Sequence, residues 1–161
     1  MRSLMGYFVA GFILLSSGCA NAGFYDNPLI GAKAADFKLV QVKGGTASLE
    51  SLRKDGKAVV FFWATWCPHC REQLKEMSTQ KVALEKLGAA VILVDIGEDK
   101  STVERFLSAK GYDYNVLLDT DSAVAEKYQV VGVPTIVFIG ADGKILEEMN
   151  GFPENYAEIL K

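Results

Sequence analysis

From about residue 37 onward, apolar runs alternate with periodic stretches. Phe37-Lys38-Leu39-Val40-Gln41-Val42 alternates imperfectly and Gly44-Gly45 then turns the chain, which predicts a hairpin at a sheet edge. Ser48-Leu49-Glu50-Ser51-Leu52 predicts a short helical turn. Ala58 to Ala64 is continuously apolar, the pattern of a strand buried on both faces in a parallel sheet. From Cys67 to about Leu87 the pattern turns helical, with Leu74, Met77, Leu84 and Leu87 on one stripe and Gly88 as the stop. Val91-Ile92-Leu93-Val94 predicts a second buried strand. Ser101 to Lys110 predicts a helix with Val103, Phe106 and Leu107 facing inward, ended by Gly111. A short strand at Val116-Leu117-Leu118 and a short helix from Ser122 to Tyr128 follow. Thr135 to Ile139 predicts a strand, Asp142-Gly143 a hairpin turn, and Lys144 to Glu148 its antiparallel return. A last helix is expected from about Pro153 to Leu160. Strands alternating with helices, then a closing hairpin, predict an α/β fold: a three-layer α/β/α sandwich with an N-terminal hairpin extension.

Residues 1–18 break this rhythm. Met1-Arg2 gives a basic start, Leu4 to Leu15 is apolar, and Ser16-Ser17-Gly18 supplies small residues before Cys19. This is the layout of a secretory signal, too short to span a bilayer comfortably as a permanent helix. A cysteine directly after the small residues predicts lipoprotein processing, with Cys19 acylated as the new N-terminus. Ser16 stands where an aliphatic residue is usual, and the competing reading is an ordinary cleaved signal with Cys19 near the cut by chance. Residues from about Ala20 to Ala32 read as a tether, since Gly23, Asn27, Pro28 and Gly31 interrupt any period. The expected organisation is therefore a signal peptide at 1–18, a lipid-anchored tether at 19–32 and one domain at 33–161. The expected location is the cell envelope, anchored to a membrane and facing the periplasm or the cell exterior.

The formal net charge is −3, with signs mixed along the chain and no basic run, so nucleic-acid binding has no electrostatic support. The chain has three cysteines. One lies at the processing site and two in Cys67-Pro68-His69-Cys70, so none remains for a structural framework of disulfides. A CxxC after an apolar strand and at a helix start is expected to be a redox dithiol. The helix dipole and its exposed N–H groups stabilise a thiolate at Cys67. The rival reading, half of a zinc site, lacks ligands: a closed site needs four, and the only histidine, His69, lies inside the motif itself. No metal is expected.

Phe62-Trp63-Ala64-Thr65-Trp66-Cys67-Pro68-His69-Cys70, followed far downstream by Gly132-Val133-Pro134-Thr135, resembles the thioredoxin superfamily. The resemblance is to exported, membrane-tethered thiol–disulfide oxidoreductases of the TlpA/ResA kind, and it runs from about Ile30 to Gly151. The β–α piece at roughly Val91 to Asp119 matches the insertion typical of that branch, and Asp142-Gly143-Lys144-Ile145 matches its closing hairpin. The resemblance implies a thioredoxin-like fold and disulfide exchange with exported or envelope proteins, in cytochrome c maturation or protein disulfide formation. It implies a redox-active Cys67–Cys70 disulfide and no other cofactor. Cys67 would attack a substrate disulfide and Cys70 would resolve the mixed disulfide. Pro134 would be a cis proline against that pair, and the backbone of Val133 would offer strand-like hydrogen bonds to a bound peptide. Trp63 and Trp66 would form an apolar rim, although Trp63 fits a core position equally well. The implied partners are protein thiols and disulfides together with a membrane-bound redox protein.

Pro68 and His69 are expected to tune the pair. Pro68 restricts the helix start and His69 can set a donor beside the Cys67 thiolate, both favouring the reduced form and a more oxidising disulfide. This dipeptide resembles that of the DsbA-type oxidants, whereas the insertion-bearing frame resembles reductants. Two acids common in the superfamily are replaced: Gln73 stands three residues after the second cysteine and Phe61 six before the first. Both absences leave the thiolate less opposed. Two alternatives stand beside the exchange reading. A thiol peroxidase of the peroxiredoxin kind normally has a Thr three residues before its nucleophile, where this chain has Ala64. A copper-handling surface lipoprotein would use the two thiols as soft ligands, yet no further Cys or His supplements them.

Overall fold

The computed structural model describes residues 27–161. Residues 1–18, expected to be a signal peptide, and Cys19 lie outside the described residues. Seven strands form one sheet, flanked by helices: β1 Lys38–Gln41, β2 Thr46–Ser48, α1 Leu49–Arg53, β3 Lys57–Trp63, α2 Pro68–Lys86, β4 Ala89–Ile96, α3 Lys100–Lys110, β5 Val116–Asp119, α4 Ala123–Lys127, β6 Thr135–Ile139, β7 Ile145–Met149 and α5 Tyr156–Ile159. The spatial order is β2-β1-β5-β4-β3-β6-β7. β3, β4 and β5 run parallel at the centre. β1 is antiparallel to β5, and β6 to β3, so the expected hairpins β1–β2 and β6–β7 close the two edges.

β3 explains its own position. Ala58 to Trp63 are fully buried, because helices cover both faces of the strand. Val59, Phe61 and Trp63 point to one face, where Leu74, Met77 and Leu84 of α2 and Val103 and Leu107 of α3 pack. Ala58, Val60 and Phe62 point to the other, against Leu49 of α1 and Val124, Ala125 and Tyr128 near α4. A Phe at either face contributes about 1.5–3 kcal/mol of burial.

Caps fix several ends. Ser48 and Ser51 form a reciprocal capping box at α1. Asp99 accepts from the Thr102 N–H to start α3, and Gly111 ends it in the left-handed region. Asp119, fully buried, accepts the N–H groups of Val124 and Ala125 at 3.1 and 2.8 Å and so starts α4.

Three expectations change. β4 runs two residues beyond Val94, because its ladders with β3 and β5 continue through Asp95 and Ile96. The terminal helix is confined to Tyr156–Ile159, with Pro153 to Asn155 forming a turn before it. Residues 27–32, assigned from the sequence to the tether, lie against the domain: the Gly31 N–H donates to Ile145 O, the Ile145 N–H to Ala32 O, and Asn27 Nδ2 to Tyr128 O at 3.0 Å.

Candidate active site

β3 ends at Trp63, and the loop Ala64-Thr65-Trp66 delivers Cys67 to the N-cap of α2. Pro68 follows at the first helical position, where its ring matches the helical φ and its missing N–H has no partner to lose. The sulfur of Cys67 acts as the cap, accepting the Cys70 N–H at 3.1 Å. No acidic residue occupies the first turn of the helix, so nothing there offsets its positive end. Cys67 and Cys70 are joined in a disulfide with their Cα atoms 5.2 Å apart. Cys70 is fully buried, and Cys67 keeps a sliver of exposure.

The Val133–Pro134 bond is cis. Cys67 Sγ lies 3.7 Å from the Val133 carbonyl oxygen, a distance across which a reduced Cys67 thiol can donate. The Pro134 loop is pinned twice, by the Thr135 hydroxyl donating to Gly132 O at 2.7 Å and by Asn150 Nδ2 donating to Pro134 O at 3.1 Å. Sequence patterning gave no sign of Asn150, which sits just after β7. Beside this loop is a largely apolar cavity of about 270 Å³, lined among others by Ala64, Trp66, Ile96, Val130, Val131 and Val133. Trp66 is 67% exposed at its mouth. Trp63, expected as a second rim residue or a core residue, is fully buried and packs on Phe106 of α3, because β3 keeps its alternation to the last residue.

The His69 ring does not turn toward Cys67. It is largely exposed, with Nδ1 3.3 Å from a Glu72 carboxylate oxygen. Gln73 plays a structural part, since its Oε1 accepts the Phe152 N–H at 2.5 Å and so fastens the C-terminal segment to α2.

Two acids outside the motif lie near this end of the sheet. Asp95 stands in register with Trp63 on the neighbouring strand, on the face that α2 and α3 cover. It is fully buried, and neither oxygen accepts a hydrogen bond; the indole N–H of Trp63 is likewise unpartnered among the described residues. Burial pushes the Asp95 carboxyl up to about 8, and the adjacent Glu98 carboxylate pushes the same way as a hydrogen-bond acceptor and as a like charge. The Glu98 backbone N–H, outside hydrogen-bond geometry, pulls only weakly in the other direction. Glu98 accepts the Thr65 N–H at 2.5 Å and the Thr65 hydroxyl at 2.6 Å. The Phe61 replacement therefore does not leave the site without a buried acid; β4 supplies one. The sequence signal was a charged residue at the end of an apolar strand, which reads just as well as the strand's end.

Among the described residues no group of three or more His, Cys, Asp or Glu is placed to hold a metal ion. None of their helices is long and apolar enough to cross a membrane.

The profile of the AhpC/TSA family matches residues 30–148. The thiol-disulfide oxidoreductase ResA of Bacillus subtilis (strain 168) is 32% identical over 160 residues, covering 94% of this chain and 88% of that one. ResA of Geobacillus kaustophilus (strain HTA426) is 31% identical over 123 residues, covering 76% and 70%. Among solved structures, a thiol:disulfide interchange protein of the thioredoxin family from Chlorobium tepidum TLS superposes with a TM-score of 0.67 at 24% identity, over 80% of this chain and 92% of that one, a likeness of fold.

Two outcomes follow from the packing. Between about pH 4 and pH 8 the folded protein holds a proton on Asp95 that the unfolded chain has released, so stability falls as pH rises through that interval, by up to about 1.4 kcal/mol per pH unit. Asp95→Asn flattens this slope in urea titrations run at several pH values; an unchanged slope contradicts the assignment. Gln73→Ala strands the Phe152 N–H and lowers stability by about 1–3 kcal/mol in the same assay.

Proposed function

The chain belongs to the AhpC/TSA family and is a thiol–disulfide oxidoreductase, and on that footing we propose that Cys67 is its attacking sulfur and Cys70 its resolving one. The observation that carries this assignment is the asymmetry of the pair: the helix N-terminus is directed at Cys67 through the Cys70 N–H, while Cys70 is sealed in the core. In the reducing direction the Cys67 thiolate attacks one sulfur of a substrate disulfide and releases the other as a thiolate, which takes up a proton. Cys70 then gives up its proton and attacks Cys67 Sγ. The Cys67–Cys70 disulfide forms, the mixed disulfide breaks, and the substrate leaves as a dithiol. Two electrons pass from protein to substrate; of the two protons the substrate gains, one is given up by Cys70 and the other comes from solvent, which received the Cys67 proton on ionisation; the oxidising direction is the reverse. The cysteine pair is the redox group.

The site has features that suit a peptide. The backbone of Val133, the exposed face of Trp66 and the apolar cavity between them lie beside Cys67. This supports Trp66, Val133 and Pro134 as the surface that receives the chain flanking a substrate cysteine, by backbone pairing at Val133 and apolar contact at Trp66. The signal-like residues 1–18 and Cys19 support export and acylation, which would hold the domain at a membrane of the cell envelope beside a membrane-bound redox partner. The substrates this suggests are exported protein thiols and disulfides, apocytochrome c among them. Ala64 at the position where a peroxidase would have its Thr favours exchange over peroxide reduction.

Pro68 at the first helical position and the unopposed helix end favour the thiolate, so the pair is proposed to be more oxidising than thioredoxin. Each 30 mV corresponds to about 1.4 kcal/mol, and thioredoxin stands near −270 mV, so even modest stabilisation of the thiolate is measurable. Equilibration with glutathione buffers is expected to give a midpoint above that value; a midpoint at or below it contradicts the proposal. The roles of the cysteines separate by trapping: Cys70→Ser accumulates mixed disulfides with substrates, and Cys67→Ser accumulates none. Capture by Cys67→Ser instead would reverse the assignment.

A further inference from the structure

The cavity beside the Pro134 loop is not uniformly apolar, and one residue of its lining has no part in the steps above. Ala64 and Ala125 are buried at its floor, with Ile96 half-buried beside them. Trp66 and Val131 stand at its mouth, 67% and 90% exposed. Glu126 of α4 belongs to the same lining and is exposed as well. Among the described residues around this cavity, it is the one that carries a charge.

No lysine, arginine or histidine of the described residues pairs with the Glu126 carboxylate. Lys127, next along α4, is carried away from the cavity by the turn of the helix and is absent from its lining. Glu98, which holds Thr65 between Ala64 and Trp66, adds a second negative charge at this end of the sheet. An apolar floor, an open indole face and an unpaired carboxylate suit a side chain with an apolar stem and a cationic tip. Lys and Arg have that form, and a cavity of about 270 Å³ has room for either stem. An aliphatic side chain fills the floor and leaves Glu126 to water; an acidic one is repelled.

The Val133 carbonyl oxygen, 3.7 Å from Cys67 Sγ, sets where a substrate's backbone would run. A peptide paired there as a strand sends alternate side chains to the same side. With its cysteine turned in to Cys67, the side chains two positions away turn in as well, toward the cavity that Trp66 and Val133 border. We propose that this cavity is a subsite for a basic side chain, and that Glu126 selects substrates with Lys or Arg two positions from the reacting cysteine. The inference rests on Cys67 as the attacking sulfur and on peptide pairing at Val133, and it adds the class of substrate. Glu126 binds; it takes no part in the transfer of electrons or protons.

The test uses the reduced full chain in the Cys70→Ser background and blocked pentapeptides whose central cysteine is a mixed disulfide with thionitrobenzoate. The Cys67 thiolate attacks the peptide sulfur, the Cys67–peptide disulfide forms, and thionitrobenzoate, the better leaving group, departs as a coloured thiolate. Both terminal residues of the peptide are Arg, norleucine or Glu. Each rate is divided by the rate of iodoacetamide alkylation of Cys67 in the same protein, which removes any change in the sulfur itself. At low salt the Arg peptide is expected to react about fivefold faster than the norleucine peptide, with the Glu peptide slowest. The differences shrink in about 1 M salt, where the screening length is about 3 Å. Glu126→Gln brings the Arg and norleucine peptides to within about twofold of each other, and Glu126→Lys makes the Glu peptide the fastest. Glu126 is exposed, so neither substitution opens the core. An Arg preference that survives in both variants overturns the proposal. Equal rates for the three peptides in the wild type discard the subsite and keep the exchange function. Release from none of them, by a chain whose Cys67 still alkylates, discards peptide exchange at this site and the subsite with it.

Discussion

The N–H of Cys70 points at the sulfur of Cys67, and much of the architecture serves to keep it there. For a side chain to cap a helix it must sit just before the first turn with an extended backbone, as Cys67 does. That in turn requires β3 to end at Trp63, and the chain to reverse within Ala64-Thr65-Trp66. Pro68 then forces the helical φ at once. A sulfur at this point meets the partial positive charge of aligned peptide groups, and the second sulfur, one turn on, is carried inward by the same helix. Strand, loop and helix thus convert a local sequence motif into two cysteines of unequal accessibility, with the helix end directed at the first.

Struts from distant parts of the chain hold this arrangement from outside. Glu98 fastens the loop before Cys67, Gln73 on the CxxC helix receives the Phe152 N–H, and Asn150 holds the cis-proline loop at the Pro134 carbonyl. The contacts are polar and each joins two segments that the hydrophobic core alone would leave free to slide. Oil-like packing of Phe61, Leu74 and Met77 sets the distance between α2 and the sheet, but it has little directional preference. Hydrogen bonds to backbone groups supply the direction. The ends of β3, β4 and β6 at which these struts gather are also the ends where the parallel strands deliver their loops, the usual address of a site in an open α/β sheet.

How much of this was legible follows from what each feature leaves in the sequence. β3, α2 and α3 were legible because their burial is continuous or periodic and their ends bear Gly88 or Gly111, or the CxxC itself. β4 was read two residues short at its C-terminal end because Asp95, a charged residue, looks like the close of a strand, while the ladders to β3 and β5 carry the strand on regardless; it also starts two residues earlier than expected, at Ala89. The sheet order could not be read at all: β1 lies next to β5, a pairing of residues more than seventy positions apart. Residues 27–32 looked like a linker because Pro28 and Gly31 break any period; in fact Gly31 and Ala32 pair with Ile145 at the start of β7 by backbone hydrogen bonds, which leave no side-chain signature. The cysteine pair and the Val-Pro motif were legible by their chemistry. Asn150, Glu98 and Asp95 were not, since a polar residue that serves a remote backbone group looks like any residue of a loop or a strand end.

The buried acid also bears on which way electrons run. Replacement of the usual acids by Phe61 and Gln73 implied that no negative charge opposes the Cys67 thiolate. Asp95 restores an acid on the α2 face of the sheet, yet an acid that holds its proton is neutral. Below about pH 8 it therefore adds no charge against the thiolate, and the helix end and Pro68 act with only the Glu98 carboxylate nearby. Above that pH the same residue becomes the opposing charge that the sequence had seemed to remove. At neutral pH Asp95 therefore leaves the helix end and Pro68 unopposed by a second buried charge, because in its apolar site it keeps its proton.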